Sequence, residues 1–126
     1  MRKSRFSALV AVLAACLGQP AQAQVGEVKR GADIFATECS ECHSARAGKN
    51  KKGPSLHAVI GRKAGTLADV KYSDAMRQSG WVWDAEALRR YLAQPKRALP
   101  GGTMKYDGLP DPNALEDLLA YLSSLK

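Results

Sequence analysis

Two cysteines and a histidine lie together in the segment Cys39-Ser40-Glu41-Cys42-His43. On a helical turn, positions i and i+3 share one face, so the two thiols can reach the two vinyl groups along one edge of a porphyrin. The histidine that follows is directed beneath the ring, where an imidazole nitrogen can bind iron. The C-x-x-C-H spacing therefore predicts covalent attachment of one haem c through Cys39 and Cys42, with His43 as an iron ligand.

Three other uses of a cysteine pair fit the sequence less well. A structural zinc site needs four ligands, whereas residues 24–126 hold two cysteines and two histidines, and His57 is badly spaced for such a site. A thioredoxin-like redox pair needs a βαβ context, and the flanking residues show no strand pattern. A disulfide between Cys39 and Cys42 would suit an exported protein, but it leaves His43 without a role.

The second axial position of the iron has three candidate ligands, Met76, Met104 and His57. Met104 lies in a segment rich in proline and glycine that cannot be regular helix or strand, so its thioether has no evident core-filling role. Met76 falls in a segment that can form a short helix, where methionine is ordinary core filler. A lone histidine such as His57 is usually a surface or hydrogen-bonding residue. Since histidine–methionine ligation is a known haem arrangement that raises the reduction potential, we expect Met104 to be the ligand.

Three main helices are predicted to position these residues. The first covers residues 28–38, and the second is N-capped by Asp84 and ended by Pro95. The third begins at Asp111, with proline at its first helical position, and its apolar side chains follow at i, i+3, i+4 and i+7, as Leu115, Leu118, Leu119 and Leu122. Residues 45–68 predict a long loop, which is unusual in a compact domain unless it wraps a ligand that completes the core. The predicted fold class is all-α, with long loops around one covalently bound haem.

The start of the chain has the pattern of an export sequence. Basic residues precede an apolar run at residues 8–17, which is too short to span a bilayer. A small-residue motif fits cleavage after Ala23, so residues 1–23 are predicted to be a signal peptide and residues 24–126 one domain. Alternatively, Cys16 ends a lipobox-like motif and would anchor a lipoprotein. We expect a periplasmic protein without stable membrane insertion.

The charge of the chain bears on its partners. Residues 1–23 carry three basic and no acidic side chains, so their removal lowers the formal net charge from +7 to +4. A modest positive excess suits docking to acidic protein surfaces. No nucleic-acid motif accompanies the charge, so no nucleic-acid partner is expected. The basic side chains expected around the haem edge are Lys51, Lys52, Lys96, Arg97 and Lys105.

Further short blocks occur in one order over residues 27–125. They are Lys52-Gly53-Pro54-Ser55-Leu56-His57, Gly61-Arg62-Lys63-Ala64-Gly65, Tyr72-Ser73-Asp74-Ala75, Trp83, Tyr91-Leu92-Ala93-Gln94-Pro95-Lys96-Arg97, Pro100-Gly101 and Asp117-Leu118-Leu119-Ala120-Tyr121-Leu122. Together with the C-x-x-C-H segment, these blocks resemble the class I c-type cytochromes, the group of mitochondrial cytochrome c and bacterial cytochrome c2.

The resemblance implies further roles around the haem. The Pro54 carbonyl would orient the His43 imidazole, and Tyr91 would approach the sulfur of Met104. The residues expected to contact the haem propionates are Arg62, Tyr72 and Trp83. Gly31 and Phe35 would pack the first helix against Tyr121. The chain departs from the family at Gly102 and Thr103, where threonine and lysine are usual, and at Met76, where asparagine is common.

The function that the resemblance implies is one-electron transfer by a monomeric carrier, not an enzyme. Its expected partners are acidic surfaces of redox proteins: a cytochrome bc1 complex, oxidase, reductase, dehydrogenase or photosynthetic reaction centre. A fixed subunit of one dehydrogenase and a carrier tethered through Cys16 are alternatives. An enzyme or gas sensor with an open haem would require that Met104 not bind, and the sequence shows no acid–base pair for such chemistry.

Overall fold

The computed structural model describes residues 25–126, so the predicted signal peptide and Cys16 lie outside the described residues. The helices are α1 (Val28–Ile34), which continues as a π-helical turn (Phe35–Cys39), α2 (Asp74–Gln78), α3 (Ala85–Ala93), α4 (Pro95–Ala98) and α5 (Pro112–Ser124). Over residues 25–126, the extended backbone pairs only at one isolated antiparallel bridge, between Lys63 and Val82. The predicted all-α class is confirmed.

Helices α1 and α5 pack closely because Gly31 has no side chain. A Cβ atom at Gly31 would lie 2.7 Å from the Cβ of Tyr121, closer than two such atoms can approach. Beside this contact, the Arg30 Nε donates to Asp117 Oδ2 at 2.7 Å. The rings of Phe35 and Tyr121 pack with their centroids 5.4 Å apart. The packing that the family resemblance implied for these helices is therefore present.

Helix α3 begins as predicted and is followed by an additional short helix. The Asp84 side chain accepts a hydrogen bond from the Ala87 amide at 2.7 Å, which caps the helix. Helix α3 ends at Ala93, and Pro95 is the first residue of α4 rather than only a stop. Proline is favoured there because its missing N–H is not needed in the first turn. The buried side chains of α3 are Ala87, Leu88, Tyr91 and Leu92.

Residues 40–73 are irregular, as predicted for the long loop. The loop is nevertheless ordered by backbone contacts, since the Leu56 amide donates to the Ser44 carbonyl at 2.8 Å and the Ala58 amide to the Leu125 carbonyl at 2.8 Å. Within residues 25–126, no helix is long and apolar enough to cross a bilayer. The loop and the helices together surround the space in which the site lies.

Candidate haem site

A cavity of about 680 Å³ lies between the long loop, helix α3 and the segment before α5. Its volume is in the range of pockets that enclose a cofactor or small ligand. All nine side chains that the sequence predicted for the site line this cavity: Cys39, Cys42, His43, Pro54, Arg62, Tyr72, Trp83, Tyr91 and Met104. The fold therefore brings together residues that are widely separated in the chain.

The His43 imidazole is held in one orientation. Its Nδ1 atom lies 2.7 Å from the Pro54 carbonyl oxygen, which can only accept, so Nδ1 carries the proton and Nε2 keeps a free lone pair. Gly53 lies against the ring, because a Cβ there would be 2.5 Å from His43 Cε1. Burial lowers the pKa of His43, although the hydrogen bond to Pro54 opposes this shift. A neutral imidazole with an unprotonated nitrogen is the form that binds iron.

Both cysteines lie on the cavity wall, and no disulfide joins them. The amides of Cys42 and His43 donate to the Cys39 carbonyl at 3.1 and 2.9 Å, so the motif folds as a turn at the end of the π-helical segment. Burial, together with the charges of Glu38 and Cys42, raises the pKa of Cys39 to about 11, which keeps it a thiol at neutral pH. Over residues 25–126, no three His, Cys, Asp or Glu side chains are grouped to hold a metal ion. The zinc alternative therefore lacks ligands there.

Arg62 presents an unpaired donor at the cavity. Its Nη1 and Nη2 atoms donate to the Ser55 carbonyl at 2.9 and 2.8 Å, whereas its Nε is buried without a partner among the described residues. Such a donor is costly unless an acceptor reaches it. The Trp83 amide donates to the Arg62 carbonyl at 2.9 Å and places both residues on the same wall. Burial raises the pKa of Tyr72, so its hydroxyl remains a neutral donor.

An aromatic cluster stiffens the same wall. The ring centroids of Trp83 and Tyr91 are 5.2 Å apart, and that of Trp81 lies 5.7 Å from Trp83 and 5.9 Å from Tyr91. The Arg90 guanidinium lies over the Trp81 ring at 5.0 Å, in a cation–π contact. Burial raises the pKa of the Tyr91 hydroxyl. Sequence reasoning did not identify Trp81 as a support for this wall.

The loop that carries Met104 is attached at both ends. The Gly102 amide donates to the carbonyl of buried Leu99 at 3.1 Å, and the Leu109 amide donates to the Leu92 carbonyl on α3 at 2.9 Å. Met104 is half-buried and lines the cavity. The loop is thus bonded to α3, and its Met104 thioether lines the same cavity as Tyr91 of that helix.

The two alternative axial ligands differ in their relation to the cavity. Met76 also lines it, from helix α2, whose first turn is capped by the Ser73 hydroxyl at 3.1 Å from the Met76 amide. His57 is not among the cavity-lining residues. Its amide donates to the Ser55 hydroxyl at 3.2 Å. This hydrogen bond lies within the long loop. The geometry therefore leaves two thioethers facing the space, one from a loop and one from a helix.

Besides Trp81, sequence reasoning missed three contributors to the site. Gly53, directly before Pro54, makes room for the imidazole, and its position beside that proline could have identified it. Tyr106 and Glu38 both line the cavity, and the Tyr106 hydroxyl donates to the Glu38 carboxylate at 3.2 Å. This bond joins the Met104 loop to the π-helical turn. No local pattern relates two residues so far apart in the chain.

The basic residues expected at the haem edge are partly neutralised. Lys52 forms an ion pair with Glu41 at 2.7 Å, and Lys96 forms one with Asp107 at 2.6 Å. Lys105 lines the cavity and is exposed. The remaining two predicted residues are exposed as well: Lys51, whose ammonium donates to the Ser40 carbonyl, and Arg97 on α4.

The cavity has the chemistry that a covalently attached haem requires. Two thiols lie one helical turn apart, a neutral imidazole keeps a free nitrogen, and a thioether is available for the second axial position. The unpaired Arg62 Nε is suited to an anionic propionate. The apolar part of the wall, which would cover the porphyrin faces, includes Leu56, Val59, Leu88, Leu92 and Leu122.

Comparisons with known proteins agree with this chemistry. The sequence model of the family described as Cytochrome c matches residues 28–126. Cytochrome c2 iso-2 of Magnetospirillum fulvum is 52% identical over 87 residues, which span 69% of this chain and 91% of that protein. Cytochrome c of Arabidopsis thaliana is 43% identical over 98 residues, spanning 77% of this chain and 88% of the relative. The solved structure of cytochrome cH from Methylobacterium extorquens matches with a TM-score of 0.72 and 41% identity, covering 79% of this chain and 99% of that one.

Proposed function

Since the chain belongs to the cytochrome c family, as a class I electron carrier with one haem c bound through Cys39 and Cys42, we propose that its iron is ligated by His43 and Met104. We further propose that it works as a diffusible, exported carrier. The observation that carries the proposal is the cavity itself, on whose wall the cysteine pair, the oriented His43 and the Met104 loop meet.

The proposal for His43 rests on its fixed tautomer. The Pro54 carbonyl accepts from Nδ1 at 2.7 Å, so Nε2 is the nitrogen that can bind iron. Gly53 supports the ring position from the adjacent residue. A carbonyl partner also increases the basicity of the imidazole, which strengthens its bond to the metal.

The proposal for Met104 rests on a comparison with Met76. Both thioethers line the cavity. Both side chains also pack against the hydrophobic core. Met104 belongs to a loop fastened to α3 through the Leu109 amide, whereas Met76 lies in a helix, where methionine is ordinary core filler. The Met104 segment is rich in proline and glycine and has no helix face to fill, so metal binding is the better account of Met104.

The protein's part in electron transfer is to hold the haem, to shield it from water and substrates, and to set the electrostatic surroundings of its iron. When bound, the haem supplies an iron that alternates between Fe(III) and Fe(II). His43 and Met104 would occupy both axial positions and so exclude substrates from the metal. Arg62 places a positive charge and a free N–H at the cavity, and Trp83 with Tyr91 keeps water from one wall. These roles need no acid–base catalysis, which accords with an electron carrier and not an enzyme.

We propose periplasmic location after cleavage behind Ala23, with the carrier shuttling as a monomer between membrane-bound donors and acceptors. The donors and acceptors proposed are a cytochrome bc1 complex, an oxidase, a reductase, a dehydrogenase or a photosynthetic reaction centre. Lipid anchoring through Cys16 and permanent attachment to one dehydrogenase are the alternatives. The mass of the purified mature protein distinguishes cleavage behind Ala23 from a lipidated N-terminus at Cys16. Co-purification with an enzyme would indicate a fixed subunit.

Axial ligation is tested on the full precursor expressed in a host that attaches c-type haem. The oxidised wild type should show the weak far-red methionine-to-Fe(III) charge-transfer band. Met104→Ala should abolish this band, and the matched Met76→Ala control should retain it. Ferrous wild type should bind carbon monoxide poorly, whereas the Met104→Ala protein should bind it readily, because a coordination position is then open.

Each opposite result has a definite meaning. A band that survives Met104→Ala and disappears in Met76→Ala would make Met76 the ligand. A wild type without the band that binds carbon monoxide readily would overturn the closed-carrier proposal and favour an open haem that binds small ligands.

A further inference from the structure

A group of mostly charged side chains lines the cavity together with the two cysteines or adjoins such residues, and it is here called the cysteine rim. Five members line the cavity: Glu38, Glu41, Lys52, Lys105 and Tyr106. Lys51 and Asp107 are their neighbours in the chain, and Lys96 pairs with Asp107. Seven of them carry charge, and all seven are exposed. A haem held by Cys39 and Cys42 has its thioether-bearing edge next to this rim.

Acidic and basic groups alternate in the rim and contact each other. Lys52 pairs with Glu41 at 2.7 Å, and Lys96 pairs with Asp107 at 2.6 Å. The pair with Lys96 holds the pKa of Asp107 below its ordinary value, first through the hydrogen bond to the lysine and then through its charge. Each of the two carboxylates thus faces a lysine at hydrogen-bonding distance.

The third carboxylate of the rim, that of Glu38, contacts a tyrosine of the Met104 loop. Glu38 accepts from the Tyr106 hydroxyl at 3.2 Å, and Tyr106 stands between Lys105 and Asp107 in the chain. The Lys51 ammonium donates to the Ser40 carbonyl, next to Glu41. The rim thus holds four lysines and three carboxylates, a formal net charge of +1.

The rim is less positive than the mature domain as a whole. Residues 24–126 carry a formal net charge of +4, so most of this excess lies outside the rim. Electron transfer slows steeply with distance, so partners must approach near the exposed haem edge. The local potential there, rather than the total charge, then governs steering and the choice of partner.

We propose that the cysteine rim is the docking surface of this carrier and that it fits a redox protein of mixed surface charge, not a uniformly acidic one. The inference rests on the proposed carrier function and sharpens its partner. A uniformly acidic face would place like charges against Glu38, Glu41 and Asp107, which is unfavourable. The complementary face carries basic side chains opposite these carboxylates and acidic side chains opposite Lys105 and its neighbours.

The test uses two small one-electron oxidants of opposite charge, hexacyanoferrate(III) and tris(1,10-phenanthroline)cobalt(III). Each takes one electron from the reduced haem-loaded protein, and stopped-flow rates are recorded from about 10 to 100 mM ionic strength, where the screening length falls from about 30 to 10 Å. For a rim of charge near +1, the rate with the anionic oxidant should fall only about threefold over this range. The cationic oxidant should show a small change in the opposite direction.

The double variant Glu41→Gln/Asp107→Asn removes two rim carboxylates without large changes in shape. Its rate with the anionic oxidant should rise at low salt and fall by about tenfold or more over the same salt range. Glu86→Gln is the matched control, because Glu86 lies in a separate small cavity beside Trp81 and Arg90. It should behave as the wild type does.

Two outcomes would overturn the inference. One is a wild-type rate with the anionic oxidant that falls more than about tenfold with salt, which a strongly basic rim would produce. The other is a double variant with the same salt dependence as the wild type and the Glu86→Gln control. The failure of the carrier proposal looks different, since electron exchange with both oxidants would then be slow while added carbon monoxide or cyanide binds the iron.

Discussion

Gly53 and Pro54 together determine the chemistry of His43. The carbonyl of Pro54 fixes the proton on Nδ1, and the absence of a side chain at Gly53 allows the ring to lie close to the backbone. Proline contributes this acceptor although it has no N–H of its own. Two neighbouring residues with no reactive side chain therefore set the orientation of the nitrogen that we propose binds iron.

Gly53→Ala tests this arrangement. The new Cβ would lie 2.5 Å from His43 Cε1, so the ring or the backbone must move, and overpacking of this kind costs about 1–3 kcal/mol. We expect the haem-loaded variant to unfold at lower denaturant concentration and to show a disturbed iron spectrum. Gly48→Asn is the control, because Gly48 has open space around it and asparagine tolerates its positive φ of 66°. An alanine variant with wild-type spectrum and stability would contradict the steric role of Gly53.

At the scale of helices, the α1–α5 contact depends on a carboxylate buried between them. Asp117 on α5 is only 5% exposed. It accepts from Arg30 Nε at 2.7 Å and from the Glu27 amide at 2.6 Å. The latter bond satisfies a donor next to the first turn of α1, where no side-chain cap exists. The hydrogen bond from Arg30 is the main cause that lowers the pKa of Asp117, followed by that from the Glu27 amide.

Asp117→Asn should lower the melting temperature at pH 7 by a few degrees, because the amide keeps the shape but loses the charge that Arg30 binds. The folded-state pKa of Asp117 is below that of the unfolded chain. Its stabilisation is therefore complete above about pH 4 and lost as the pH falls through the folded-state value. Melting temperatures recorded against pH should thus converge for wild type and variant in acid.

The control for this comparison is Asp69→Asn, since Asp69 is an exposed loop carboxylate. It should melt like the wild type at every pH. If the wild-type advantage over Asp117→Asn persisted unchanged in strong acid, the charge of Asp117 would not be its cause.

At the scale of the whole molecule, the cavity and the hydrophobic core share their residues. Six side chains belong to both the buried core and the cavity wall: Val59, Trp83, Leu88, Tyr91, Leu92 and Leu122. A domain of this size buries a limited share of its surface, and a gap of about 680 Å³ leaves these side chains without contacts on one side. The bound haem is therefore expected to supply a large part of the folding free energy.

The double variant Cys39→Ala/Cys42→Ala, which cannot hold haem covalently, should consequently lose cooperative unfolding. We expect reduced helical circular dichroism and a broad urea transition in place of a sharp one. Ser40→Ala, which changes a residue between the same cysteines, should retain haem and unfold cooperatively. A haem-free double variant with a sharp transition at the wild-type midpoint would show that the protein core suffices.

Much of the fold was predictable because its determinants are local. Asp84 and Asp111 cap helices through contacts that span three residues or fewer, and the leucines of α5 recur with the helical period. Helix α4 and the π-helical turn were not predicted. Their short lengths give no periodic pattern, and their geometry depends on packing beside the cavity.

The amino-acid sequence by itself determined the chemistry of the site, since the C-x-x-C-H spacing places two thiols and an imidazole on one turn whatever surrounds them. It also indicated which residues would gather around the haem. The tertiary structure decided what depends on contacts between distant segments: that Met76 faces the cavity as Met104 does while His57 does not, that Arg62 keeps a free donor, and that carboxylates offset the lysines at the rim. Local spacing specifies which groups are adjacent along the backbone, but long-range pairing and charge balance arise only when separate segments pack together.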